Sequence, residues 1–316
     1  MIKIKISENE SGQRIDRFLI KYMDKAPKGF IQKMIRKKRI KLNSKRAYPD
    51  DIININDELK LYMSMETINK FRSDYEEIKS NIKLNVIYED DNIILIYKKK
   101  GDISHSHLDD KESISNALIK YLIDKKEYNP ELEKTFTPAI SNRLDRNTSG
   151  IIIGTKNYNA LKNINKAIRN RNIDKYYKAL VYGKVEKEML LENYIIKNSR
   201  NNMVEITDKN ASNAKRIETR IKPLVFNDEY TLLEVELITG RTHQIRAHLN
   251  FINHPIVGDK KYTNKNINKN IKLNSQFLVS YKIKFNNLDS GLEYLNGKSF
   301  EIPLEYKYDE ILKNIF

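Results

Sequence analysis

Strand-like runs recur along most of this chain, and no regular alternation with helices separates them. A hairpin signal opens the series: NVIYE, the turn Asp90-Asp91-Asn92, then IILIYK. Further runs are IIIGT (Ile151–Thr155), YYKALVYGKV (Tyr176–Val185), YTLLEVELI (Tyr230–Ile238), FLVSYKIKF (Phe277–Phe285) and FEIPL (Phe300–Leu304). Helical periodicity falls only at Ile114–Ile123, Ala160–Asn170 and Thr242–Phe251. A strict βαβ rhythm would require a parallel sheet. Its absence predicts an α+β fold with a mostly antiparallel mixed sheet flanked by helices.

The amino-terminal fifth has a different character. Residues 1–62 hold 16 Lys and Arg against 8 Asp and Glu, half of the chain's excess of 58 basic over 42 acidic residues. No acidic residue occurs between Lys25 and Pro49. Within Lys28–Arg46, Phe30, Ile31, Met34 and Ile35 recur at helical spacing, which predicts an amphipathic helix with a basic outer face. A second helix is expected in GQRIDRFLIKYM, followed by a short strand pair at IKLN and DELKLYM. A surface of one sign is an electrostatic footprint for phosphates, whereas ordinary solvation mixes signs. Residues 1–62 are therefore read as a small nucleic-acid-binding domain, with Arg36, Lys37, Lys38 and Arg39 as phosphate contacts. Residues 63–83, polar and mixed in charge, are read as a linker, and residues 84–316 as a second, larger domain.

Several chemistries are excluded. With no cysteine there is no disulfide scaffold, thiolate zinc site or cysteine nucleophile. The ten glycines form neither G-x-G-x-x-G nor G-x-x-x-x-G-K-[ST]. His105, His107, His243, His248 and His254 lack H-E-x-x-H spacing, so no metal is expected. No apolar run approaches the roughly 20 residues that cross a bilayer, and MIKIKISENE lacks a signal-peptide core. A cytoplasmic protein without a membrane partner is expected.

Two clusters carry chemistry. In AISNRLDRNTSGIIIGT (Ala139–Thr155), an aspartate flanked by arginines precedes a continuous β-run. Turn chemistry accounts for the Asp, Asn, Ser and Gly. A carboxylate between two guanidinium groups is held ionised beside whatever it touches, and on residues alone a functional aspartate and a hairpin ion pair both stand. In ITGRTHQIRAHLNFINHPIVGD (Ile238–Asp259), a turn-to-helix start gathers Arg241, His243, Gln244, Arg246 and His248. Arg241 and Arg246 are five apart and point in different directions, one able to face a buried carboxylate and the other phosphate.

NRLDRNTSG resembles the H-R-L-D-x-x-T-S-G signature of RluA-type RNA pseudouridine synthases. KYYKALVYG (Lys175–Gly183) is similar to that family's second motif, and LITGRTHQIRAH with HPIVGDKKY to its third. KKKGDISH (Lys98–His105) is similar to a K-P-x-G-x-x-x-H segment, with Lys99 at the usual proline. Residues 1–62 resemble the small αL RNA-binding domain of ribosomal proteins. The resemblance implies isomerisation of uridine to pseudouridine within RNA, most expected in large-subunit ribosomal RNA or its precursor. It implies no cofactor, no metal, no obligate protein partner and a monomer. Asp145 matches the essential aspartate, Arg246 its basic partner, and Tyr177 the tyrosine stacked on uracil. Arg143 matches the arginine that enters the space left by the extruded base. Leu144, Arg241 and Gln244 are expected at the substrate. Asn142 replaces the commoner His and touches positioning rather than chemistry. An inactive RNA-binding factor on the same fold is the competing reading. A glycosidase would need a second positioned carboxylate.

Overall fold

In the computed structural model the described residues are 1–73, 78–105, 112–130, 133, 135–198, 203–263, 271 and 273–316. The amino-terminal part comprises β1 (Ile2–Lys5), α1 (Ile15–Tyr22), α2 (Lys28–Arg36), β2 (Ile40–Leu42), β3 (Lys45–Arg46), β4 (Glu58–Leu61) and α3 (Met65–Lys70). Its strands form their own antiparallel sheet in the order β1-β4-β2-β3. β1, hidden in the opening IKIK, was missed because its alternating lysines mask a period-2 pattern in which only Ile4 is fully inward. Ile15, Phe18 and Leu19 of α1 and Ile31 and Ile35 of α2 pack with Leu59 and Leu61 in one apolar cluster. Ile68 of α3 joins that cluster, so the stretch read as linker begins with a docked helical turn rather than free chain.

The basic helix is shorter than the sequence suggests. It ends at Arg36, and Lys38 takes a left-handed conformation at φ 58°. The Lys38 amide bonds the carbonyl of Ile35 at 2.9 Å, and the Arg39 amide that of Met34 at 3.0 Å. This is the double closure of a Schellman cap, with lysine where glycine is usual. Arg36, Lys37, Lys38 and Arg39 are all exposed, but they fan around a helix end rather than occupying one helical turn.

The remainder comprises β5 (Asn85–Glu89), β6 (Ile93–Lys98), α4 (Ile114–Asp124), β7 (Ala139–Ile140), β8 (Ser149–Thr155), α5 (Tyr158–Arg169), β9 (Ile173–Tyr182), β10 (Met189–Asn198), β11 (Met203–Thr207), β12 (Lys215–Phe226), β13 (Tyr230–Leu237), α6 (Gln244–Phe251), β14 (Leu278–Phe285), β15 (Ser299–Glu301) and α7 (Tyr306–Ile315). One sheet runs β11-β10-β12-β13-β9-β14-β8-β6-β5, with β15 on β14 and β7 on β8. Among the described residues its one parallel pair is β8 with β14. The fold is the expected α+β class with a mostly antiparallel sheet.

The continuous runs IILI and III are strands buried on both faces, where alternation is lost. Ile94, Ile96 and Ile152 face α4 and α6, whereas Ile93, Leu95, Ile151 and Ile153 face α5. Asn157 caps α5 by accepting the Ala160 amide at 2.8 Å. The helix expected from Thr242 starts at Gln244, because His243 is left-handed at φ 53°.

Gly150 fixes the join between β8 and β14. At φ +134° it lies opposite Ser280, whose carbonyl oxygen would stand 2.3 Å from any added Cβ. Gly150→Ala is expected to cost about 2–4 kcal/mol, through strained backbone and a forced separation of the two strands. Urea denaturation measures this, and an unchanged midpoint would show that the strands can part freely.

Candidate active site

Asp145 sits in the connection between β7 and β8, and four fastenings fix that loop. Asn142 extends the β7 pairing with its side chain: Oδ1 accepts the Ile153 amide at 2.7 Å and Nδ2 donates to the Ile151 carbonyl at 3.3 Å. An amide can imitate a peptide group in this way. The departure from histidine at this position is thereby given a purely positional role. Ser104 Oγ accepts the Leu144 amide at 3.1 Å and donates to the Leu144 carbonyl at 2.8 Å. Gln276 Nε2 donates to Thr148 Oγ1 at 3.2 Å. The buried Lys98 ammonium donates to the carbonyls of Lys99 (3.0 Å) and Arg146 (3.1 Å). Burial pushes Lys98 down to about 8, partly opposed by Asp102 and Asp145. The KKKGDISH segment is thus a brace for the loop that presents Asp145.

Helix α6, following β13, brings Arg246 to the same place. Its Nη1 donates to Asp145 Oδ2 at 2.9 Å. Its Nε and Nη2 form a two-point grip on Asp259, at 2.7 and 2.8 Å. The Asp145 side chain is 26% exposed, and that of Asp259 is 0% exposed. Burial raises Asp259, but the hydrogen bonds and charge of Arg246, with the Lys261 and Tyr262 amides, bring it below the usual carboxylate range. Burial likewise opposes charge on Arg246, and the two carboxylates overcome it. The Tyr262 ring lies beneath the guanidinium, 5.1 Å away. Arg246 pairs as the sequence suggested. Its second carboxylate, Asp259, was missed as a partner although it closes the HPIVGD run, because only folding brings residues 246 and 259 together.

His243 Nε2 stands 3.7 Å from Asp145 Oδ2, and Nδ1 is 3.2 Å from the Tyr262 hydroxyl. Burial lowers its pKa against the pull of Asp145, so this is the approach of a neutral ring at neutral pH rather than an ion pair. Tyr177, inward on β9, is buried, which raises its phenol to about 12. It keeps its proton at neutral pH.

Asp145, Tyr177, His243 and Arg246 line a cleft of about 1060 Å³ on the α6 side of the sheet, together with Arg143, Arg146, Arg171, Lys175, Arg241 and Lys261. Arg143 and Arg241 are exposed within it. Leu144 and Gln244 line the cleft as well, and one expectation, that Gln244 binds the substrate, needs correction. Leu144 is 8% exposed and its side chain packs in the core. Gln244 spends its whole amide on protein: Nε2 donates to the Glu218 carbonyl (2.8 Å) and Thr219 Oγ1 (2.9 Å), while Oε1 accepts from Thr239 Oγ1 (2.8 Å) and the Arg241 amide (3.1 Å). With no hydrogen-bonding capacity left, it ties the turn before α6 instead of reaching a ligand. Arg36, Lys37, Lys38 and Arg39 do not line this cleft. His107 lies outside the described residues, and no metal-binding cluster of His, Asp or Glu occurs among those described.

The profile of the family described as RNA pseudouridylate synthase matches residues 92–251. The chain is 34% identical over 302 residues to an RNA pseudouridine synthase of Mycoplasma capricolum subsp. capricolum, covering 94% of this chain and 96% of the relative. It is 30% identical over 321 residues to the ribosomal large subunit pseudouridine synthase C of Vibrio parahaemolyticus, covering 98% and 95%. In fold it is similar to the human RNA pseudouridylate synthase domain containing 4, at TM-score 0.57 and 19% identity, over 73% of this chain and 92% of that one. The chain belongs to the RNA pseudouridylate synthase family, of the RluA type. It is an isomerase that converts uridine to pseudouridine in RNA.

Arg246→Ala strands the wholly buried Asp259 beside Asp145. The expected destabilisation is about 3–5 kcal/mol at pH 7. Asp259 has its pKa depressed by folding, so its pairing stabilises above the unfolded value of about 3.9 and that gain disappears as pH falls through the folded value. In the variant a protonated Asp259 is tolerated, so its deficit against the parent should narrow from pH 7 toward pH 4. Urea denaturation at both pH values checks this. A deficit that widens on acidification would show that Asp259 does not depend on Arg246.

Proposed function

We propose that the cleft around Asp145 is the catalytic site and that its substrate is large-subunit ribosomal RNA or its precursor. The observation that carries this reading is the 2.9 Å contact from Arg246 to a partly exposed Asp145, with Arg246 anchored from behind by Asp259. Such a carboxylate is directed by a fixed cation and open to a ligand on one side. A glycosidic bond cannot be rearranged while its base remains stacked, so the uridine must be turned out into the cleft. In this reading the Asp145 carboxylate acts on the extruded nucleotide, as nucleophile or base, while Arg246 holds it in position. Tyr177 lies against the uracil as a neutral phenol. Arg143 occupies the space the base leaves, and Arg241 meets RNA beside it. Bond breaking at ring nitrogen one and bond making at carbon five balance within one molecule, so the reaction consumes no external reagent.

The ribosomal target is supported by relatives named for the large subunit that align over nearly the whole chain, the amino-terminal part included. We assign that part, residues 1–62 with α3 docked on it, to RNA affinity, and residues 84–316 to catalysis. We expect the protein to act as a cytoplasmic monomer with no obligate protein partner. Among the described residues, no helix is long and apolar enough to cross a membrane.

Asp145→Asn preserves shape and removes charge. It is expected to abolish tritium release from labelled uridine in RNA while leaving RNA affinity within about 2-fold, a change under ~0.5 kcal/mol. Appreciable turnover by this variant would refute the assignment.

The exposed basic cluster at the end of α2 should contribute affinity without chemistry, because phosphate contacts position RNA without reading its bases. Replacing Arg36, Lys37, Lys38 and Arg39 together by Ala should flatten the log–log salt dependence of binding by roughly 2, if two or three of them touch phosphate. The turnover rate at saturating RNA should stay as it was. An unchanged salt slope would remove this surface from the RNA path.

A further inference from the structure

The cations around the cleft are either partnered by protein or exposed to solvent, with one exception. Arg246 is held by two carboxylates, Arg171 donates to Glu218 at 3.0 Å, and Arg146 Nε donates to the Gly101 carbonyl at 3.2 Å. Lys175 is different. It is 8% exposed and lines the cleft, and among the described residues it makes no hydrogen bond or ion pair. Asp174, next along β9, turns to the opposite face, where it accepts from Asn286 Nδ2 at 2.8 Å. The glycine at position 240 leaves the Lys175 ammonium room beneath the turn before α6, with Nζ 3.5 Å from where a Cβ would stand. Burial lowers the lysine, with only Asp174 opposing.

A buried ammonium without a counter-charge destabilises the protein that carries it. Its retention makes sense if the missing anion arrives with the ligand. Lys175 and Tyr177 share one face of β9, two residues and roughly 7 Å apart. The ammonium is therefore beside the base held at Tyr177 rather than upon it. A carbonyl of the base would satisfy one N–H, whereas a phosphate oxygen supplies both the hydrogen bond and the charge.

We propose that Lys175 is a substrate-binding residue that takes one of the two backbone phosphates flanking the extruded uridine, and that the free enzyme tolerates it as an unpaired buried cation for this purpose. This rests on the Asp145 cleft being the active site. The proposal predicts opposite effects on stability and on binding.

The test uses the full-length protein, with Lys175→Met and Lys175→Gln, and a synthetic single-uridine RNA stem-loop that the parent enzyme converts. Neutral methylphosphonate linkages are placed 5′ or 3′ to the uridine in two further RNAs. Lys175→Met is expected to raise the melting temperature of the free protein by about 2–4 °C. Both variants should bind the unmodified RNA about 10-fold more weakly, with a log–log salt slope shallower by about 0.7. With one of the methylphosphonate RNAs the parent should lose a similar factor, and the variants should lose nothing further. A lower melting temperature for Lys175→Met would mean a structural lysine and would overturn the proposal. So would unchanged binding, or an undiminished effect of the variants on both methylphosphonate RNAs, which would place the contact on the base or elsewhere. Turnover by Asp145→Asn is measured in parallel. If that variant stays active, the site reading fails and this one with it. If it is inactive and the phosphate experiment fails, only the role of Lys175 falls.

Discussion

The arrangement depends on one guanidinium shared by two carboxylates. Arg246 could not be buried beside Asp145 alone without leaving part of its donor fork unmet. With Asp259 gripping Nε and Nη2, only Nη1 remains for Asp145. The desolvation of three charged groups is offset only by good geometry and by the amides of Lys261 and Tyr262 on Asp259. This explains why so much of the surrounding chain is devoted to holding things still. Gly258, at φ +81°, stands where a Cβ would meet the Ser275 carbonyl at 2.4 Å, so the turn leading to Asp259 can form only with glycine. The loop bearing Asp145 is fastened by Lys98, Ser104 and Gln276, whose partners are backbone or hydroxyl groups rather than carboxylates. None of these fastenings takes a hydrogen bond of the Asp145 carboxylate away from Arg246.

The sheet supplies the distances. β8 and β9 lie on either side of β14, and β13 lies beyond β9, so the loop before β8 and the helix after β13 converge over the middle of one face. Tyr177 comes up from β9 between them. Because β8 and β14 run parallel, no hairpin can join them, and the crossing chain must pass over the sheet. Bringing Asp145 to Arg246, 101 residues apart in sequence, is therefore a property of the strand order rather than of any local motif.

Much of this was legible in the residues. Asp145, Arg246 and Tyr177 stand in recognisable patterns, and the strands with continuous apolar runs announced a sheet covered on both faces. The strands from Met189 to Phe226 were not visible in the same way. In β12, Ile217, Thr219 and Ile221 do alternate inward, but Lys, Arg and Glu between them give the segment the look of a polar loop. Helix α7 was passed over because its inward residue, Tyr308, is followed by only partly covered apolar positions. Gln244 was misplaced because a motif shows which residues the site needs, and not whether they face the ligand or hold up those that do. Asp259 was silent because its role exists only across a tertiary contact.

Burial also separates the cations into two kinds. Arg36 to Arg39 are exposed, and charges in water are screened beyond roughly 8–10 Å at ordinary ionic strength. They can gather a polyanion and release it as salt rises, but they cannot hold an atom within a fraction of an ångström. Arg246 and Lys175 are largely shielded from water, so their fields are less screened and their positions are restrained by packing. Such groups are expensive in the free protein and directional in the complex. A reaction that takes nothing from outside, and must break and remake one bond within a turned-out nucleotide, draws mainly on the second kind. On the proposal made above, the first kind would gather the RNA, and the buried charges would act on one of its bases.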